Sequence, residues 1–288
     1  MCEAGAHYIL LHGETMKRVL SAIILSVVLI AAGCNQQDLF DLTSKAQDLK
    51  TSGRLPSDVA GLALWLKADG ITPLPDGTVI SDWPDASGNG ITTVVFSNPR
   101  YFHTAFNGMP AVRFDGSSYI LASEFMNFSS FTIFYVGAYT GPGGGRHIIY
   151  DQGVTAGSTP FIGLHISTVS ITGTVGDSQA TPEFLSITSP LTPTTPHIAV
   201  FVLNGQNASL FLNGASSGGT LNLAYDSSTT WFNGPSAPSI GSQNGVMYYQ
   251  GDIAEIIVYN NALSETDGFA VDCYLSKKYG IAVSHPCD

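Results

Sequence analysis

Leu62, Leu64 and Leu66 alternate with other residues in the run Gly61–Ala68, so an apolar side chain recurs at every second position. That period marks a half-buried β-strand. Similar runs predict strands at Thr78–Trp83, Ala111–Asp115, Tyr119–Ala122, Phe131–Tyr139, Arg146–Asp151 and Phe161–Ile166. Further strands are predicted at Val169–Thr174, Glu183–Ile187, His197–Leu203, Ser209–Leu212, Pro238–Gly241 and Asp252–Tyr259. Between them stand Asn107-Gly108, Asn204-Gly205 and Asn213-Gly214, dipeptides that accept positive φ, and the glycine-rich break Gly141–Gly145. Many short strands with this punctuation predict an all-β sandwich or barrel. The period changes to that of a helix only near the end. Val271, Tyr274, Leu275 and Tyr279 share a helical face, Ser264 with Asp267 three residues on is a capping-box variant, and Gly280 is a stop.

A different apolar run stands near the start. Residues 16 to 34 read MKRVLSAIILSVVLIAAGC, with Lys17 and Arg18 ahead of the apolar stretch Val19–Ile30. This is the order of a signal peptide, and the stretch is short for a membrane span. Ala31-Ala32-Gly33-Cys34 resembles the bacterial lipobox, whose cysteine is lipidated and becomes the mature N-terminus; a plain signal peptide and a transmembrane anchor are the alternatives. On this reading translation starts at Met16, and residues 1 to 15, with Cys2, His7 and His12, are upstream read-through. Asn35 after the cysteine, where Asp would favour inner-membrane retention, predicts an outer-membrane or cell-surface address. Residues 35 to 55 read as a polar tether, 56 to 281 as the folded domain and 282 to 288 as a tail.

Composition narrows the partners. Charged residues make up 11% of the 288, hydrophobic ones 44%, and the formal net charge is −11. The basic residues cluster no further than Lys17-Arg18 and Lys277-Lys278, whereas a phosphate backbone needs concentrated Lys and Arg, so nucleic acid is excluded as a partner. An acidic surface suits neutral glycans or divalent cations, and it suits plain solubility equally. With Cys34 taken by lipid, export leaves Cys273 and Cys287 in a compartment that permits disulfides. A bridge between them would pin the tail to the helix; two free thiols are the alternative.

Four ordered motifs resemble the laminin-G-like members of the concanavalin A-like lectin/glucanase superfamily. They are the opening segment Pro56–Ala68, the loop Trp83-Pro-Asp-Ala-Ser-Gly-Asn-Gly90, the hairpin Asn107-Gly-Met-Pro-Ala-Val-Arg-Phe-Asp-Gly116 and the closing strand Gly251–Tyr259. Ala262-Leu263-Ser264 and Tyr274–Ile281 extend the last of these, so the resemblance spans the domain. It implies a two-sheet antiparallel jelly-roll sandwich with one short C-terminal helix. It does not imply one activity, because the fold hosts lectins, glycosidases, lyases and adhesion modules.

Each candidate site has a plainer reading beside it. Asp85, Ser87 and Asn89 alternate ahead of Gly90 as in the first half of a calcium loop, but Phe96 stands where an EF-hand has its closing acid. The resemblance implies that Asp252 or Glu255 would complete a structural calcium site. The alternative is an Asx-turn in which Asp85 caps backbone amides. Trp83 would brace this loop, and Trp65 would be structural. Gly214-Ala-Ser216-Ser-Gly218 matches a nucleophile-elbow pattern but lacks a following helix, so it reads as a hairpin loop.

Retaining glycosidases of this fold set two carboxylates on one strand. Of Glu124, Glu183, Glu255 and Glu265, none has a second acid at strand spacing, and Asp252, three residues from Glu255, would face the opposite way. No catalytic residue and no hydrolysis are therefore expected. Arg146, His147, Tyr150, Gln152 and His165 could form a lyase-type cluster or merely an edge strand of mixed polarity. Glycan binding would use aromatic faces flanked by hydrogen-bonding groups, with Tyr139, Arg146, His147, Tyr150, Trp231 and Tyr248 as candidates and Tyr249 beside them; packing at the sandwich rim is the alternative for each aromatic ring. His103 and His197 read as ordinary strand-end residues. The expected function is a surface-anchored, non-catalytic carbohydrate-binding or adhesion lipoprotein. A structural surface protein without a small ligand, or a polysaccharide-degrading enzyme, are the alternatives.

Overall fold

The alternation that starts at Leu62 continues as paired strands, which a computed structural model arranges in two antiparallel sheets. The structure describes residues 54–123, 130–141, 147–153, 161–167, 169–176, 184–192, 194–205, 207–217, 221–222, 237–243 and 245–287. Cys34, the segments 1–15 and 16–34, most of the tether, Glu124, Glu183, Arg146 and Trp231 lie outside them. Among the described residues no helix is long and apolar enough to cross a membrane.

The strands run β1 (Leu62–Lys67), β2 (Thr78–Val79), β3 (Thr93–Phe96), β4 (Arg100–Phe106), β5 (Met109–Asp115), β6 (Tyr119–Ala122), β7 (Phe131–Tyr139), β8 (His147–Gly153) and β9 (Phe161–Ile166). They continue as β10 (Ser170–Gly176), β11 (Phe184–Pro190), β12 (His197–Asn204), β13 (Asn207–Leu212), β14 (Ala215–Ser216), β15 (Leu221–Asn222), β16 (Ser239–Ile240) and β17 (Gln250–Tyr259). One sheet has ten strands in the order β14-β13-β12-β7-β17-β5-β4-β2, with β1 also on β17 and β15 also on β13. The other has seven, in the order β11-β10-β9-β8-β16-β6-β3.

The sheets face each other across one core that includes Leu64, Leu66, Phe114, Tyr135, Leu164 and Phe201. A second core lies on the far side of the ten-stranded sheet, where the helix α1 (Glu265–Tyr279) packs. There Val271, Leu275 and Tyr279 cover Trp65, Phe134 and Ile257. Strand β7 is therefore buried at all its positions, as is β17 from Gly251 onward. Burial on both faces explains why neither strand alternates apolar and polar positions, and why Asp252 and Glu255 of β17 each have an ionic partner.

The helix ends follow the sequence chemistry. Ser264 Oγ accepts a bond from the Asp267 amide at 3.1 Å, and Gly280 takes the left-handed conformation with φ 66°. A buried polar group fastens the helix to the sheet. Glu255 receives the Trp65 indole N–H on one oxygen. Its other oxygen receives Tyr279 Oη at 2.7 Å and Lys278 Nζ at 2.8 Å. Lys278 also reaches Asp69 at 2.8 Å. The Sγ atoms of Cys273 and Cys287 are bonded at 2.01 Å, joining the tail to the helix.

Several predicted bounds move. The strand expected over Thr78–Trp83 closes after Val79, because Ile80 and Trp83 turn into the core. Strands β3 and β4 are additional; a register shift between Phe102 and Phe106 breaks the alternation of β4. Asn107 and Gly108 both have positive φ, at 47° and 76°, in the β4–β5 hairpin, as that dipeptide predicts.

Candidate functional site

The seven-stranded sheet turns one face to the core and the other away from it. On the far face the strand registers align small and polar side chains. Val94 pairs with Leu121, Leu121 with Ser239, Ser239 with Asp151, Asp151 with Gly163, Gly163 with Thr174 and Thr174 with Ser186. A parallel row pairs His165 with Thr172 and Thr172 with Thr188. The threonine hydroxyls bond across the strands, Thr172 to Thr188 and Thr174 to Ser186, each at 2.9 Å. Asp151 is 2% exposed, and Gln243 Nε2 donates to its Oδ2 at 3.1 Å. It is the one carboxylate that the seven strands carry.

Aromatic rings gather at the β3–β6 end of the same face. Phe96 and Tyr119 are register partners, with rings stacked at 4.5 Å and 4°. Tyr248 stands beside Tyr119 at 6.1 Å. All three are half-buried. A tight turn sets Tyr248 there: Gln243 and Val246 exchange both backbone bonds, and Gly245 takes φ 78°. The Tyr248 and Tyr119 hydroxyls both approach Gly245, where an added Cβ would lie 3.6 Å from one and 3.8 Å from the other. Val94 at 52% exposure and Met247 at 41% extend the apolar rim. The half-buried rings can take the apolar face of a saccharide, whereas Asp151, Ser239, Gln243 and Thr174 are buried and order the sheet and the turn beneath the rings.

The sequence candidates distribute unevenly over this geometry. Tyr248 lies in the aromatic group. His147 sits at the sheet end, with Nδ1 2.8 Å from the Tyr248 carbonyl and its ring 5.0 Å from that of Tyr139. Tyr139, Tyr150 and Tyr249 are corrections: all three are fully buried in the core between the sheets, and no ring face is open to a ligand. Burial pushes the Tyr150 hydroxyl well above its usual range. Tyr150 bonds Gln152 at 2.9 Å on the core side, while His165 belongs to the far face, so the lyase-type group does not converge. Phe96 and Tyr119 were not among the candidates. Their pairing across β3 and β6 joins residues 23 apart, and no local pattern signals it.

The five residues expected to hold calcium do not fit one cation. Asp85 forms the Asx-turn: its Oδ1 accepts from the Trp65 and Ser87 amides at 2.9 Å, and its Oδ2 from Ser87 Oγ at 2.6 Å. Asn89 Nδ2 donates to the carbonyls of Leu62 and Ala63. Asp252 is held by both arms of Arg113, at 2.7 and 2.8 Å, and Glu255 lies in the buried group described above. The loop stands beside β1, which separates it from β17. Asp85→Ala is therefore expected to cost about 2 kcal/mol through three lost charge-assisted bonds. The melting temperature is expected to respond equally little to calcium and to chelator, as thermal unfolding in either would show.

Asp252 and Glu255 also depart from the expected opposite facing. A bulge at Ala254 sets Asp252 against Ala138 and Glu255 against Val136, two residues apart on β7 and so on one face. Each carboxylate has its own cationic partner there, and neither faces an open cleft as a catalytic pair would. Ser216 of the G-x-S-x-G match lies on β14, paired with Phe211, which is not the strand-to-helix turn of a nucleophile elbow.

Comparison with known proteins agrees with this architecture. The family model for the concanavalin A-like lectin/glucanases superfamily matches residues 114–267, more than half of the chain, and the chain belongs to that family. No curated protein sequence matches it. Among solved structures it is similar to the binding domain of Paraclostridial mosquitocidal protein 1, at 14% identity and TM-score 0.57, covering 77% of this chain and 53% of that one. Domain 4 of an extracellular GH43 arabinanase from Geobacillus stearothermophilus, solved with arabinotriose, aligns at 11% identity and TM-score 0.55, covering 73% and 97%. The botulinum neurotoxin type G receptor binding domain aligns at 15% identity and TM-score 0.54, covering 76% and 52%. The chain spans about half the length of the two toxin domains.

Proposed function

We propose that this protein is an exported lipoprotein, anchored through Cys34 at the outer membrane or cell surface, whose sandwich binds glycan without catalysis. The observation that carries the reading is the aromatic group Phe96, Tyr119 and Tyr248, three half-buried rings gathered at one end of the seven-stranded sheet. Stacking rings and a few fixed polar groups are what a sugar needs for binding. Bond cleavage by a glycosidase would need two cooperating carboxylates, and Asp151 is the single acid on these strands. Similarity in fold to two domains titled as binding domains, and to an arabinanase domain solved with arabinotriose, supports the same reading.

A glycan array probed with the full chain in detergent tests it. Binding to a defined subset of glycans is expected, with no reducing sugar released from the ligands. Tyr119→Ala and Tyr248→Ala are each expected to weaken that binding about tenfold, since the change removes the ring's buried apolar area as well as roughly 0.5–1.5 kcal/mol of stacking. Retention of full affinity by the double variant, or an array without hits, would refute this site. Cys34→Ser is expected to abolish lipid labelling.

A further inference from the structure

A groove of about 780 Å³ lies on the opposite side of the sandwich, between the start of α1 and the outer face of β7, β12 and β13. Phe211 and Phe269, both half-buried, give it aromatic faces, and among the described residues its charged lining groups are Glu265 and Asp272, with no Lys, Arg or His. Two independent features suggest that it receives a ligand. Asp272 is 4% exposed; its Oδ2 lies 3.2 Å from His285 Nε2, but among the described residues its buried Oδ1 has no hydrogen-bond partner. Buried acceptors are nearly always satisfied, so this one lacks a donor that an occupant could supply. The second feature is Gly268, which lines the groove within the helix. Glycine is a poor helix former. Here it has no positive φ to explain it, and a Cβ would meet nothing within 4 Å. Neither backbone nor packing requires glycine at this position. Its effect is to leave the groove open.

We propose that this groove is a second ligand site, which takes a primary ammonium group carried on a body with an apolar face. The ammonium group would donate to Asp272 Oδ1, with Glu265 at the mouth adding attraction, while the body lies on the phenylalanine rings. An amino sugar unit and a linear polyamine both carry this chemistry. The site is independent of the aromatic face on the seven-stranded sheet and stands or falls separately from it.

Titration calorimetry on the full chain decides the matter, with a chitosan tetramer, its fully N-acetylated counterpart and spermidine as probes. The chitosan tetramer is expected to bind at least tenfold more tightly than the acetylated one. Gly268→Leu should abolish binding without lowering the melting temperature, because the new side chain fills space that is open and suits a helix better. Asp272→Asn should weaken binding about tenfold. Spermidine binding as tightly as chitosan would identify the polyamine; binding of chitosan alone would identify the amino sugar. Equal binding of acetylated and free amines, no binding by any probe, or wild-type binding by Gly268→Leu would overturn the proposal. This last variant keeps the test valid even if Asp272→Asn fails to fold.

Discussion

Glu255→Ala is expected to destabilise the domain by about 4 kcal/mol, the upper range for breaking a buried ion pair by removing one partner. The magnitude follows from what the change leaves behind. Glu255 is fully enclosed, and Lys278 is 9% exposed. Without the carboxylate, Lys278 keeps only Asp69, itself 30% exposed, as an ionic partner. The Trp65 indole N–H and the Tyr279 hydroxyl lose their acceptor in a site with little access to water. The second core would loosen along with these groups, since Trp65 and Tyr279 both belong to it. Urea unfolding of the full chain measures the free-energy loss, and thermal unfolding is expected to show a fall in melting temperature on the order of 10 °C for a domain of this size. A companion Lys278→Met change should recover part of the loss, because it removes the uncompensated charge. A Glu255→Ala variant within 1 kcal/mol of the parent would show that this group does not fasten the helix.

The second large effect concerns acid. His197 is 3% exposed, and burial holds its imidazole down at about 4, against a weaker opposing pull from the Thr195 carbonyl at 3.1 Å. Above pH 6.5 the ring is neutral whether the chain is folded or not. Below that value the unfolded chain takes up a proton that the folded one refuses until about pH 4. Stability is thus fully present above pH 6.5 and falls with falling pH across this window, by about 1.4 kcal/mol per pH unit and roughly 3 kcal/mol in all. Asp272 works in the opposite sense: burial raises its carboxyl above the usual value, so the folded state holds its proton more firmly and gains as pH drops. Denaturant melts between pH 7 and 4 test the sign. His197→Leu is expected to remove most of the slope; an unchanged slope would exclude His197 as its source.

These two sites also show how far the sequence reaches. The helix, its Ser264 cap and its Gly280 stop were legible because capping and periodicity are local, and so was the hairpin at Asn107-Gly108. The sandwich itself was legible because alternation and turn dipeptides repeat along the chain. Asp85 was legible only as a choice between metal loop and Asx-turn, since both use the same residues. The tertiary fold adds to the Asx-turn by bringing the Trp65 amide, 20 positions away, to the carboxylate. Counting by twos placed Asp252 and Glu255 on opposite faces, but the bulge at Ala254 put them on one, and a bulge depends on the partner strand rather than on the strand's own sequence. Aromatic residues posed the same problem. Tyr139, Tyr150 and Tyr248 look alike as residues near glycine-rich loops, yet the first two fill the core and only the third reaches the surface. The sequence by itself determined the helix and most of the strands, because those choices depend on neighbours along the chain, but it missed β3 and β4. Which face each side chain joins, and with whom, was decided only when strand registers brought distant residues such as Phe96 and Tyr119 into contact.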